Sequence, residues 1–137
     1  MVDFSQIQQI SASGMQAESV RLRTIAENIA NADSTATTPG GQPYRRKVVT
    51  FKTEFDKAMG VDEVKVDRVG TDNSQLDKRF DPQNPGADKD GYVLMPNVNP
   101  LIEMMDMRQA QRSYEANLNV IDVTKTESAN LVALLKG

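Results

Sequence analysis

Residues 101–135 read LIEMMDMRQAQRSYEANLNVIDVTKTESANLVALL, and this stretch decides which kind of fold the chain can form. It contains neither proline nor glycine, the two residues that interrupt helices most strongly. One set of side chains recurs at the alternating three- and four-residue spacing of a heptad. Its members are Met107, Ala110, Tyr114, Asn117, Ile121, Thr124, Ser128, Leu131 and Leu135. This spacing places the set along one face, so the stretch predicts a long, coiled-coil-like α-helix.

The same helix carries a second apolar face, which projects roughly 120–180° away from the first. This second face contains Ile102, Met105, Ala116, Val120, Val123 and Leu134. A helix that covers a single core needs one apolar stripe, so two stripes predict packing on two sides. We expect the chain's own N-terminal helix to be one partner. Since the sequence predicts no third long helix, the other partner must come from another molecule.

The N-terminal 32 residues also show a helical pattern, with apolar side chains within about 120° of one another. This face consists of Phe4, Ile7, Gly14, Met15, Ala17, Leu22, Ile25, Ile29 and Ala32. A helix of about 30 residues spans about 45 Å. Gly14 is either a tolerated defect in this helix or the point where a second helix approaches closely. Glu18 is either a solvated rim residue or a buried charge that needs Arg21 or Arg112 as its partner.

The middle of the chain has a different composition. All six prolines and six of the eight glycines lie between residues 39 and 100, which predicts turns and strands there. Strand patterns occupy 47–51, 64–69 and 92–95, and 81–86 has the composition of a turn. Asn97 and Asn99 suit the N-cap of the last helix, and Pro100 suits its first turn, so we expect this helix to begin near Asn99.

The predicted fold class is α+β, with a long antiparallel pair of N- and C-terminal helices and a small β-rich middle domain. We expect the N-terminal helix at 1–32, a linker at 33–42, the β-rich domain at 43–97 and the C-terminal helix at 98–137.

The composition excludes several classes of function. The chain has no cysteine and no histidine, which removes thiolate zinc sites, catalytic thiols and the commonest general base. Its net charge of −3 argues against nucleic-acid binding through phosphate neutralisation. No stretch approaches the ~18 apolar residues of a membrane span, and the N-terminus lacks a secretory signal pattern. No carboxylate pair adjoins a nucleophile, so we expect no catalytic residues, no metal and no cofactor.

Two short motifs leave alternatives open. The run Asp88–Gly91 resembles part of a calcium-binding loop but lacks the remaining ligands, which favours a plain turn before a strand. The basic triplet at 45–47 either contacts phosphate or carboxylate groups or forms a solvated strand edge that blocks strand addition.

Five segments together resemble one known family. They are SGMQA at 13–17, IAENIANA at 25–32, PYRRKVVTF at 43–51, DGYV at 90–93 with PNVN at 96–99, and QRSYEAN at 111–117. In this order, and at this total length, they resemble the bacterial flagellar rod and hook family. The middle segments are most similar to its proximal-rod members.

The resemblance implies a structural subunit of the flagellar drive shaft. Such subunits pass unfolded through the flagellar type III export apparatus without a cleaved signal peptide. They then stack around a central channel as part of the periplasmic rod. The implied partners are copies of the chain itself and other rod and basal-body proteins, with no nucleic acid and no membrane span. The residues expected at subunit contacts are Phe4, Ile7, Gly14, Met15, Ala17, Leu22, Ile25, Ile29, Met107, Tyr114, Leu118, Ile121, Leu131 and Leu135.

Two rival functions remain compatible with the same residues. The first is a stand-alone coiled-coil adaptor or export-associated binding module, which would form a stable helical dimer in dilute solution. The second is a small enzyme or calcium-binding protein built on the middle domain.

Overall fold

A computed structural model describes residues 3–137. The elements, in chain order, are α1 (Phe4–Ala30), β1 (Lys47–Asp56), β2 (Val61–Thr71), β3 (Lys78–Phe80), β4 (Tyr92–Leu94) and α2 (Pro100–Lys136). In the sequence, two long helices flank a middle region of four strands, so the predicted α+β class is confirmed. The predicted start of the first helix at residues 1 and 2 lies outside the described residues.

Both helices begin at side-chain caps. The Asp3 carboxylate accepts the Gln6 N–H at 3.0 Å, while the Gln6 side chain accepts the Asp3 N–H at 2.9 Å. This reciprocal pair is a capping box. At α2, the Asn99 side chain accepts the Leu101 N–H at 3.1 Å, and Pro100 is the first helical residue. The predicted start near Asn99 is therefore confirmed.

The strands form two separate two-stranded sheets, β1 with β2 and β3 with β4. The first is a hairpin whose turn ends at Gly60, a glycine with φ of 69°. The Asp56 carboxylate holds this turn by accepting the N–H groups of Ala58 at 2.8 Å and Met59 at 3.2 Å. In the second sheet, Arg79 pairs with Val93 in an antiparallel register. The strand at 78–80 was not predicted, and β1 is twice as long as its predicted five residues.

The chain divides into two compact units. One joins the N-terminal segment through Leu22 with Val49–Arg68 and Arg108–Gly137, and its buried apolar side chains are Ala17, Val61 and Ala110. The other joins Arg23–Val48 with Val69–Met107, and its buried apolar side chains are Ile25 and Val93. Each core is small. Whether the four predicted ranges behave as domains stays a prediction.

The predicted linker at 33–42 contains neither helix nor strand, yet it is attached to the second unit. The Tyr44 N–H donates to the Ser34 carbonyl at 2.9 Å. A Cβ on Gly86 would lie only 2.4 Å from the Ala36 carbonyl oxygen, so the segment passes directly against the turn at 81–86. Only glycine allows this approach.

Candidate assembly surfaces

Within the first unit, three contacts define how α1 packs on α2. The Gln8 amide donates to the Thr124 hydroxyl at 3.3 Å, and Arg21 donates to the Gln109 side chain at 3.4 Å. Gly14 lies between them and faces Asn117. Since the α2 partner moves back along the sequence as the α1 residue advances, the two helices are antiparallel, as predicted.

The predicted heptad stripe of α2 faces α1. The buried and half-buried positions of α2 recur every three to four residues. Ala110 and Thr124 are buried, and the half-buried members are Tyr114, Asn117, Ile121 and Ser128. Phe4, the first residue of α1, lies beside Lys125 and Ser128. Since α1 begins there, it does not cover the part of the stripe beyond Ser128. Leu131 and Leu135 are therefore exposed.

Gly14 marks a close helix–helix approach. A Cβ at this position would lie 2.7 Å from the Asn117 Nδ2 and 3.2 Å from its Cγ, so of the two readings the close approach is confirmed. Asn117 is held by donating to the Ser113 carbonyl at 3.0 Å.

We expect Gly14→Leu to destabilise the isolated chain by about 2–3 kcal/mol, because a leucine must displace Asn117 and the helix behind it. Gly14→Ala should change stability by less than about 1 kcal/mol, since the gain in helix propensity offsets the displaced amide. Urea unfolding measures both. Asn117→Ala should recover most of the Gly14→Leu loss, and an unrecovered loss would contradict the close contact.

Glu18 is a buried charge, and Arg21 lies beside it. Its Oε2 lies 3.6 Å from the Arg21 Nη1 and accepts no hydrogen bond. Burial raises the pKa of the Glu18 carboxyl, and Arg21 opposes this effect. Of the two arginines considered from the sequence, Arg21 is the partner. The raised pKa means that ionised Glu18 costs stability at neutral pH.

We expect Glu18→Gln to stabilise the chain by about 1 kcal/mol at pH 7.5, because the amide removes an ionised group from a buried site. Because the pKa of Glu18 is raised in the folded state, folding favours its protonated form. The stability that protonated Glu18 contributes is lost as the pH rises through the folded-state pKa. As the pH falls to about 4, close to the unfolded pKa of a glutamate, Glu18 becomes mostly neutral in both states and the two stabilities should converge. Thermal unfolding between pH 4 and 7.5 tests this, and a pH-independent difference would contradict it.

The β1–β2 hairpin is attached to a different side of α1 within the first unit. The Gln6 amide donates to the Met59 carbonyl at 2.8 Å, and the Gln9 amide donates to the buried Glu63 carboxylate at 2.6 Å. The Val64 N–H donates to the Ser13 hydroxyl at 3.2 Å. The hairpin and α2 therefore each cover one flank of α1 in this unit.

The second apolar face of α2 has no such cover. In the first unit, Val120, Val123 and Leu134 are exposed, and Val123 keeps 60% of its surface accessible. In the second unit, Ile102 and Met105 on the same helix are exposed as well. A run of large apolar side chains left in water along one helix is typical of a surface that another molecule covers.

The second unit is held by a buried amide, Asn28. Its Oδ1 accepts the Tyr44 hydroxyl at 2.7 Å and the Lys47 N–H at 2.9 Å. Its Nδ2 donates to the Lys47 carbonyl at 2.9 Å and to the Glu103 carboxylate at 3.2 Å. All the hydrogen-bonding capacity of the amide is used, which is what a buried polar group requires.

Arg46 completes this cluster. Its guanidinium bonds the Glu103 carboxylate, which is 1% exposed, and lies 3.5 Å from Asp106 and 3.7 Å from Asp72. The hydrogen bond to Glu103 raises the pKa of Arg46 against the effect of burial. The basic triplet therefore contacts carboxylates, and these belong to its own chain. The Arg46 N–H donates to Asn97 at 2.7 Å, so Asn97 belongs to this cluster, while Asn99 caps the helix.

The structure distributes the predicted contact residues among three environments. Ala17 and Ile25 are buried, and Leu118, Leu131 and Leu135 are exposed. The half-buried members are Phe4, Ile7, Gly14, Met15, Leu22, Ile29, Met107, Tyr114 and Ile121. Their role in contacts between subunits stays a prediction. Sequence reasoning missed Asn28 and Glu103, although a lone amide on an apolar stripe is a signal for a buried hydrogen-bond network.

The calcium-like motif is a turn, as favoured from the sequence. The Asp88 carboxylate accepts the N–H groups of Asp90 and Tyr92, both at 2.9 Å, and β4 begins at Tyr92. Across residues 3–137, no group of three or more acidic side chains is arranged to hold a metal ion. Within the same residues, neither helix combines the length and hydropathy that crossing a membrane requires.

Two family models match the chain. Residues 9–36 match the family described as flagella basal body rod protein, and residues 89–132 match the flagellar basal body rod FlgEFG protein C-terminal family. The flagellar basal-body rod protein FlgC of Agrobacterium fabrum is 52% identical over 136 residues, which cover 99% of this chain and 98% of that relative. The FlgC proteins of Salmonella typhimurium and Bacillus subtilis are 42% and 36% identical, each over 85% of this chain and 87% of their own length.

Proposed function

This chain belongs to the FlgC family of flagellar basal-body rod proteins, and from that premise we propose that its copies polymerise through their helices into a hollow proximal rod. It is a structural subunit of the basal-body rod and not an enzyme. In the proposed rod, the shaft transmits motor torque and its central channel carries exported proteins. The partners are further copies of the chain and other rod and basal-body proteins.

The observation that carries the proposal is the uncovered second face of α2. The first face is covered by α1 in the same chain, while Val120, Val123 and Leu134 remain exposed. Burying one such side chain contributes about 1.5–3 kcal/mol. A wall built from many copies gains this contribution at every contact, and the number of contacts gives the shaft its stiffness.

The small cores support a subunit whose long helices are only weakly stabilised until neighbouring copies pack against them. Buried apolar side chains are few in each described unit, and long amphipathic helices owe most of their stability to packing. A weakly stabilised chain also suits unfolded passage through the flagellar type III apparatus into the periplasm. The lack of cysteine suits that oxidising compartment, where free thiols would cross-link.

The test is complementation followed by purification of basal bodies. Cells that lack the chain should be non-motile and should regain motility, with the chain present in purified basal bodies, when it is supplied. A chain absent from basal bodies in motile cells would contradict the proposal. Sedimentation adds a second check: the rod subunit should be a monomer in dilute solution, whereas a stable helical dimer would favour the adaptor.

A further inference from the structure

An apolar groove runs along the first unit, where α1 and α2 meet. Its volume is about 310 Å³. The side chains that line it are Ala12, Met15, Gln16, Ser19, Tyr114 and Ile121. All four α1 residues in this lining have short or flexible side chains without charge, so a bulky aliphatic group can approach the helix closely.

The end of α2 has the opposite property, because its large side chains protrude. Leu134 is 79% exposed and Leu135 is 88% exposed, more than any other large apolar side chain among residues 3–137. Leu135 belongs to the same heptad stripe as Tyr114 and Ile121, which α1 covers up to Ser128. We refer to residues 131–135 as the α2 tip.

Resting on the rod function proposed above, we propose that the α2 tip of one copy inserts into this groove of a second copy. Tyr114 and Ile121 belong both to the groove and to the α1–α2 interface, so the inserted tip continues an interface that already exists within each chain. The last carbonyl groups of a helix lack intrahelical partners, and the Gln16 amide and the Tyr114 hydroxyl offer them donors.

The contact joins two different surfaces, the tip of one molecule and the groove of the next. A contact of this heterologous kind does not close on itself in a pair, and repeated copies form a ring or an open helix. An isologous contact through two tips would stop at a dimer. The proposed contact is therefore the kind that a tubular wall of identical subunits requires.

Because the chain contains no cysteine, introduced thiols report this contact directly. Ser19→Cys and Leu134→Cys chains are produced together in cells that lack the native chain, and their basal bodies are oxidised. Each variant carries a single cysteine, so a disulfide between the two variants must join two different copies of the chain. We expect at least tenfold more mixed dimer than from the matched pair Ser19→Cys and Ala133→Cys. Ala133 is the neighbouring exposed residue, about 100° away around the helix.

A second measurement leaves the tip unchanged. A photoreactive residue replaces Ser19, and the peptide that it captures is identified. Trypsin releases the tip as residues 126–136, and we expect this peptide to be the main product. Two results would overturn the inference and leave the rod function standing. The first is an equal yield of dimer from both cysteine pairs in basal bodies that contain the chain. The second is capture of a different rod protein by the photoreactive residue at position 19. Failure of the native chain to enter basal bodies would overturn both.

Discussion

Replacing Arg46 with methionine is expected to destabilise the isolated chain by about 3–5 kcal/mol, because it leaves the Glu103 carboxylate buried without a cation. Glu103 is 1% exposed and keeps only the Asn28 amide as a donor in the second unit once Arg46 is removed. Methionine retains much of the aliphatic volume, so the loss reports the charge rather than a cavity. Urea unfolding monitored by circular dichroism gives the difference.

Two further variants separate this effect from a general loss of positive charge. Arg45→Met removes the neighbouring arginine, whose exposed side chain donates to the Ser74 carbonyl at 3.2 Å, and should cost less than about 0.5 kcal/mol. Adding Glu103→Gln to Arg46→Met should recover at least half of the loss, since a neutral amide no longer needs a cation. Equal losses for Arg45 and Arg46, or no recovery with glutamine, would show that the ion pair does not hold the second unit.

Replacing Val123 with aspartate is expected to abolish incorporation into basal bodies while leaving the fold of the isolated chain unchanged. Val123 is 60% exposed, so the carboxylate stays in water in the free chain. In a packed wall the same carboxylate would be buried without a partner, at a cost of several kcal/mol for each copy. We expect at least a tenfold drop in incorporation, measured by immunoblot of purified basal bodies, and an unfolding midpoint within error of the native chain.

The matched control is Gln111→Asp, which adds the same charge at an exposed position about 120° away on the polar side of α2. This variant should assemble normally. If both variants assembled, or if Val123→Asp unfolded the free chain, the second face of α2 would not be the surface that neighbours cover.

The helices could be predicted from the sequence because their signals are local. The three- and four-residue spacing of the α2 stripe, and Asn99 followed by Pro100, lie within a few residues of the backbone they describe. The place of Gly14 on the apolar face left two alternatives open, and the structure shows the close approach. Strand β3 carries no comparable signal, since three exposed residues hold their conformation through pairing with β4.

The polar cluster could not be predicted in detail, because its members are far apart in the sequence. Arg46 and Glu103 are separated by 57 residues, and nothing near either one identifies the other. The sequence therefore does not identify the partners of the basic triplet. Likewise, the place of Asn28 on the apolar face signals a buried amide, but only the fold identifies its partners as the Tyr44 hydroxyl and the start of β1.

The periodicity of a helix identifies its apolar faces but not the molecule that covers each of them. Ala17 and Ile25 were predicted at subunit contacts, and in the structure both side chains are buried within their own units. Leu131 and Leu135 lie on the stripe that α1 covers elsewhere, yet they are exposed because they extend beyond its first turn. The relative lengths of the two helices and their register, which are tertiary properties, decide between these cases.

The most direct test of the shared wall is the accessibility of a single thiol at Val123→Cys, compared between the free chain and purified basal bodies. Because the native chain has no cysteine, a maleimide label reports this position alone in the subunit. We predict rapid labelling in the free chain and at least a hundredfold slower labelling in the assembled rod. Equal labelling rates in the two states would mean that no neighbour covers this face, which would contradict the proposal that α2 packs against other subunits in the rod wall.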